Sequence, residues 1–151
     1  MDNEYFRIID LEKYETKDIH DQHVNGSLTV VWRDWDNIIP DEFKTVYITS
    51  ANPGEIKGPH LHTKRISYFV CIHGEIVFVI QKKPGEYEEI RVNADKPVLI
   101  VIPKNIPTAH ININNGVSRI LALADISWKP NDGEMKNVSF IDYDWDKWKK
   151  N

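Results

Sequence analysis

Apolar and polar positions alternate in short bursts along this chain, and no stretch sustains a helical period. Residues 5–11 alternate and predict a first strand. Residues 12–25 are polar, carry His20 and His23, and predict a loop or arm, with Asn25-Gly26 as a turn. The run SLTVVWR over 27–33 predicts a strand by its β-branched content; 35–43, with Pro40, predicts a loop; KTVYITS over 44–50 predicts another strand. Asn52-Pro53-Gly54 is a turn before the stretch PGEIKGPHLHTKRISYFVCIHG, which passes from polar to almost wholly apolar. Strands over 75–81 and 87–92 flank the hairpin loop Lys83-Pro84-Gly85, and 98–102 is an apolar run ended by Pro103. HININ over 110–114 has period two, placing His110, Asn112 and Asn114 on one face and Ile111 and Ile113 toward the core. Asn115-Gly116 then turns the chain into a return strand over 118–124. Many short strands between Gly, Pro and Asn turns predict an all-β sandwich or barrel.

The tail, 128–151, breaks this pattern. It is rich in Trp and Asp and predicts a short strand over 138–141 and one helical turn, with Lys147, Lys149 and Lys150 suited to a helix C-terminus. With 151 residues and no internal repeat or linker, the chain reads as a single domain, 1–151, whose tail packs on the barrel. A net charge of −4 argues against nucleic acid or an anionic membrane as partner. The absence of any long apolar run or leader pattern, and a single cysteine, Cys71, predict a cytoplasmic protein; Cys71 itself reads as a small buried hydrophobe.

The chemistry concentrates at His60 and His62. Residues two apart on a strand point to one face, so two imidazoles, with Lys64 next in the alternation, are aimed at one place. A strand that presents polar groups and then enters a core suits a barrel lining a pocket. His110 sits on the polar face of its own strand. His73 reads as a solvated turn residue, and His20 and His23 as surface residues.

Gly54, His60, His62 and Gly74 fall at the spacing of the first cupin motif, with Ser67 at the glutamate position. Pro103, His110 and Asn114 resemble the second motif in kind, with a longer gap and Asn105 at the glycine position. The chain therefore resembles a cupin, and the resemblance implies a cupin-type jelly-roll antiparallel β-barrel. Within cupins it is similar to the RmlC-like branch, the deoxythymidine-diphosphate-4-dehydrorhamnose 3,5-epimerase-like proteins. That likeness rests on Lys57-Gly58-Pro59-His60, on Asn25-Gly26 with SLTVVWR, and on the closing run from Asn131-Asp132-Gly133-Glu134 to Tyr143-Asp144-Trp145. The pattern His60-x-His62-x-Lys64 also resembles the nucleotide-sugar 3,4-ketoisomerases. The tyrosine that such epimerases use as general acid corresponds to Leu121, which is then expected in or beside the pocket, and their phosphate-contacting arginine to Asn25.

The resemblance implies an isomerase-class enzyme, an epimerase or ketoisomerase. It would act on a nucleotide-linked 4-keto-6-deoxy sugar by removing a proton alpha to the ketone, in surface-polysaccharide biosynthesis, without an organic cofactor and as a homodimer. His60 is the implied base, with Lys64 or His110 near the enolate oxygen. Asp142 or Asp144 would orient His60. His62, Lys57, Arg65, Asn112, Asn114, Arg119 and Asp144 are the expected substrate contacts, the basic ones meeting a diphosphate, and Trp128 and Trp145 are aromatic surfaces for a base. Two alternatives stand beside this. His60, His62 and His110 offer three nitrogens to a divalent metal, or the barrel binds a nucleotide sugar without turning it over.

Overall fold

The computed structural model describes residues 2–37 and 42–149, so Pro40 of the expected loop and Lys150 of the tail lie outside the described residues. In chain order the strands are β1 (Arg7–Asp10), β2 (Lys13–Lys17), β3 (Val24–Thr29), β4 (Thr45–Ala51), β5 (Ile56–His62), β6 (Ser67–His73), β7 (Glu75–Lys83), β8 (Glu86–Asn93), β9 (Val98–Ile102), β10 (Thr108–Asn112), β11 (Ser118–Ala124) and β12 (Met135–Asn137). They form two five-stranded sheets, in the orders β1-β9-β6-β11-β4 and β12-β5-β10-β7-β8, plus a separate β2-β3 hairpin. Every pairing is antiparallel. The all-β antiparallel fold expected from the alternation is what forms, as the jelly roll that the cupin resemblance implied.

Strand periodicity divides the apolar residues between inner and outer faces. The inner cluster joins both sheets: Cys71, Ile100, Ile102 and Ile120 from one, Ile76, Phe78, Ile80, Ile90 and Val92 from the other, with Phe6 added. The outer face of the first sheet carries Tyr68, Val70, Leu99, Val101 and Leu123, with Leu11, Val31 and Phe43 against it. The outer face of the second sheet carries Val77, Val79, Ala109 and Ile111, and the tail covers it with Val138, Phe140, Tyr143, Trp145 and Trp148. The tail is latched there by the Trp148 indole N–H donating to the Tyr143 hydroxyl (2.7 Å) and that hydroxyl donating to Glu89 (2.6 Å).

Several expectations are corrected. Residues 13–17 are a strand, and Asn25-Gly26 lies inside β3; the turn comes earlier, where Asp18 N–H donates to the His23 carbonyl and Gln22 takes a φ of 64°. Pairing with β2 outweighs the local Asn-Gly turn preference. The strand over 27–33 ends at Thr29. The tail strand is 135–137 rather than 138–141, because there the chain meets the open edge of β5; the helical turn forms, as a 3-10 turn over Trp145–Trp148. Ile111 is buried, but in the cluster beneath the tail, so on β10 the polar face looks into the barrel. Leu121 points outward on the first sheet and does not border the pocket, which removes the alignment of the epimerase tyrosine with that position.

Register places the site. β10 pairs Thr108 with His60 and His110 with Lys57, so two steps on β10 match three on β5. The extra residue, at Gly58-Pro59, is a bulge, and it lets Lys57 and His60 face inward together. Gly58 has a φ of 89°, and an added Cβ would stand 2.9 Å from the Thr108 carbonyl oxygen. Gly58→Ala therefore combines a disfavoured backbone with a clash against β10. We expect a loss of about 2 kcal/mol or more, read as a fall in Tm of about 5 °C by circular dichroism.

Candidate active site

A cavity of about 920 Å³ opens between the sheets. β4 contributes Thr45, Tyr47 and Thr49, β5 contributes Lys57, His60 and His62, and Arg65, Ser67, Phe69, Phe78, Thr108 and His110 line its depth. The segment 127–135 crosses one side as a strap, bringing Trp128 and Glu134. It is tied to β4 where Trp128 N–H donates to Thr45 Oγ1 (2.8 Å), and to the end of β5 where Thr63 N–H and Oγ1 both donate to the Glu134 carbonyl (2.9 Å each).

His60 and His62 stand side by side, ring centroids 5.4 Å apart and nearly perpendicular. His62 Nδ1 lies 2.6 Å from Glu134 Oε1, and the other carboxylate oxygen accepts from Lys64 N–H at 3.2 Å. A carboxylate only accepts, so Nδ1 of His62 carries the hydrogen and Nε2 is left with its lone pair. Arg65, 5 % exposed, donates from Nη1 to the Tyr47 hydroxyl (3.1 Å); its guanidinium carbon lies 5.6 Å from the centre of that ring. Its Nε sits 4.0 Å from Glu134 Oε1 and makes no hydrogen bond among the described residues. Glu134, Arg65 and Tyr47 thus form a line from the strap to β4. His110 stacks obliquely on Phe78, centroids 5.6 Å apart.

The electrostatics follow from burial. Desolvation, with the charges of His62 and Arg65, holds His60 below the usual imidazole value. Desolvation also lowers His62, although Glu134 works the other way. Burial, aided by Lys57 and His60, drives His110 down to about 4. Burial acts to raise Glu134, but the hydrogen bonds from His62 and Lys64, with Arg65 nearby, outweigh it and leave the carboxyl below its ordinary value. The site therefore offers neutral imidazoles beside an ionised carboxylate. Burial pushes the Cys71 thiol up to about 11, so it is no nucleophile.

Of the residues expected from sequence, His60, His62, His110, Lys57 and Arg65 meet in this cavity. Lys57 donates to Thr49 Oγ1 (2.9 Å). Lys64 does not join them: β5 ends at His62, the chain bends at Thr63 and Lys64, and the Lys64 side chain is exposed outside the cavity. Asn112 is buried but structural, its amide donating to the Ala51 and Gly116 carbonyls (2.9 and 2.8 Å) and its oxygen receiving Asn114 N–H. Asn114 belongs to that same hairpin, and Arg119 is exposed on the outward series of β11. Asp144 caps the 3-10 turn, accepting from Asp146 N–H (3.0 Å), and neither it nor Asp142 lines the cavity or orients His60. Trp145 lies flat against Phe140 under the tail, whereas Trp128 borders the cavity mouth. Among the described residues, Asp18, Asp21 and His23 bring three possible ligand atoms within 4.8 Å of one another, and His60, His62 and His110 do not converge this closely.

Sequence reading missed Tyr47 and Glu134. Tyr47 had a signal, since Thr45, Tyr47 and Thr49 alternate on one face of KTVYITS. Glu134 had none beyond its acidic turn, because it meets His62 across a separation of 72 residues.

Comparison with known proteins agrees with this fold. No curated protein is significantly similar to the chain. Among solved structures, a dTDP sugar isomerase from Desulfovibrio desulfuricans G20 matches at a TM-score of 0.78 and 17% identity, over 94% of this chain and 91% of that one. QdtA, a sugar 3,4-ketoisomerase from Thermoanaerobacterium thermosaccharolyticum in complex with TDP, matches at 0.70 and 21% identity, over 88% of each chain. CapF, a capsular polysaccharide assembling protein from Staphylococcus aureus, matches at 0.61 and 20% identity over 65% of this chain, which spans only 29% of CapF. At such identities the likeness establishes the fold. Residues 6–145 match the family described as FdtA: WxcM-like, C-terminal, and the chain belongs to that family.

Proposed function

We propose that the protein is an isomerase acting on a nucleotide-linked 4-keto-6-deoxy sugar. One observation carries the reading: neutral His60 and His62 share a cavity with the Tyr47 hydroxyl and the buried Arg65 guanidinium. Proton removal alpha to a ketone needs a base that is neutral at working pH and a hydrogen-bond donor for the oxygen that gains charge. His60 supplies the first. Tyr47, its oxygen already accepting from Arg65, has its own hydrogen free for the ketone. When His60 takes the alpha proton, the C–H electron pair becomes the C=C of an enediol, and the ketone oxygen takes the Tyr47 proton while Arg65 steadies the phenolate.

The sugar class is supported by the solved relatives. A QdtA variant is held with TDP-4-keto-6-deoxyglucose, and ChmJ of Streptomyces bikiniensis is a 3'-monoepimerase seen with dTDP-quinovose. Lys57 and Lys129 at the cavity suit the diphosphate, and Trp128 suits the base. The CapF likeness supports a place in surface-polysaccharide assembly. The homodimer belongs to the same proposal: Val46 and Ile48 are 58% and 59% exposed on β4, which pairs only with β11 among the described residues.

Proton NMR in deuterated water tests this with TDP-4-keto-6-deoxyglucose and purified protein. The expected result is loss of the signal of a proton alpha to the ketone at an enzymatic rate. Saturable binding without exchange would overturn the catalytic reading in favour of a carrier of nucleotide sugars.

A further inference from the structure

Three imidazoles line the cavity. His60 is the base of the reaction proposed above, and His62 is held by Glu134. His110 has no such assignment. It stands on the inner face of β10, opposite Lys57 on β5 and Phe78 on β7, while Thr108, two residues earlier, stands opposite His60. Its ring leans on Phe78, centroids 5.6 Å apart at 52°. Burial and the charges of Lys57 and His60 act on it, and neither ring nitrogen has a hydrogen-bond partner among the described residues. Its polar edge therefore opens on the cavity. A polar group withdrawn from water and left unpaired is costly, so an unpaired ring edge facing a ligand cavity points to a partner in the ligand.

The chemistry of that partner follows from the state of the ring. Burial drives His110 down to about 4, so at working pH one nitrogen donates and the other accepts. A phosphate oxygen or the ring oxygen of a sugar can meet only the donor. A sugar hydroxyl can meet either nitrogen. The neighbours fix which hydroxyl it is. With the diphosphate at Lys57 and the base at His60, the sugar runs from C1 at the first to the reacting carbon at the second. His110 feels the charge of both, so it lies beside the atoms between them. The way to C5 passes the ring oxygen, and the way to C3 passes the C2 hydroxyl.

We propose that His110 reads the hydroxyl at C2 of the nucleotide-linked sugar, and so selects which sugars the site accepts, with His60 acting at C3. This rests on the isomerase reading above. The ketone oxygen stays with Tyr47, so His110 contributes binding and orientation and moves no proton. A 2-deoxy sugar leaves the ring edge unpaired, and a site built around a hydroxyl turns that penalty into selectivity.

The test compares TDP-4-keto-6-deoxyglucose with its 2-deoxy analogue on wild type, His110→Phe and His110→Gln. Loss of the C3 proton signal in deuterated water, followed by NMR over a range of concentrations, gives kcat/KM for exchange, and circular dichroism checks the fold. Wild type should prefer the 2-hydroxy sugar by about 10²-fold. His110→Phe should bring the preference to within several-fold, chiefly by losing efficiency on the 2-hydroxy sugar. His110→Gln, whose amide still donates and accepts, should keep an intermediate preference and gives a reading should His110→Phe not fold. Equal efficiency of wild type on both sugars overturns the proposal, as does an unchanged preference in the folded variants. Loss of both sugars by the same factor in folded His110→Phe also overturns it and moves His110 to the proton-removal step. Exchange at C5 alone overturns the placement of His60 at C3. Absence of exchange with either sugar in wild type overturns the isomerase reading itself.

Discussion

Replacing His60 with asparagine is expected to lower both carbon-proton exchange and turnover by about 10³-fold while leaving the fold intact. Unlike His62, His60 has no hydrogen-bonded carboxylate partner among the described residues, and desolvation holds it below the usual imidazole value. Asparagine approximates the ring's polar edge but accepts no proton. The side chain contributes little to the main apolar clusters, so stability should change by less than about 1 kcal/mol. NMR exchange in deuterated water gives the rate, and circular dichroism gives the fold. Full activity in His60→Asn would show that the base lies elsewhere.

Acidification should destabilise the protein well above the range in which carboxylates titrate. His110 is buried against Phe78 with Lys57 and His60 nearby, and its pKa falls from 6.5 to about 4. The unfolded chain thus binds a proton that the folded chain does not, so stability from this group is complete above 6.5 and declines as pH falls toward 4. A shift of this size corresponds to about 3 kcal/mol, spread over that window. His60 and His62 are lowered in the same sense and add to the slope. Glu134 contributes only below its ordinary value of 4.5, where its salt-bridged form is lost. Urea denaturation at about pH 7 and about pH 4.5 checks this. Wild type should lose stability markedly, and His110→Gln should keep only the shallower dependence from the other two histidines. An equal loss in both proteins would place the effect at groups other than His110.

Much of the barrel could be read from local pattern. β7, β8 and β9 were legible because Gly74, Pro84-Gly85 and Pro103 bound their strand-forming runs, and the β7-β8 hairpin pairing is settled over a few residues. The pair His60 and His62 was legible because period two is a property of any strand. The same rule misled at Lys64, where the strand had already ended, and at Asn112, whose polar face met backbone carbonyls instead of ligand.

What the sequence determined by itself was therefore the all-β class, the inward histidine strands and the chemistry those side chains can perform. Tertiary structure alone decided which of them share a cavity. The bulge at Gly58 turned Lys57 inward, a matter of register with β10 rather than of composition. The bend after His62 replaced Lys64 with Arg65, and β4 brought Tyr47 to it from 18 residues away. Glu134 reached His62 only because β12 completes the edge of β5. Such contacts depend on free energy shared between distant strands, and that coupling has no periodicity along the chain from which to read it.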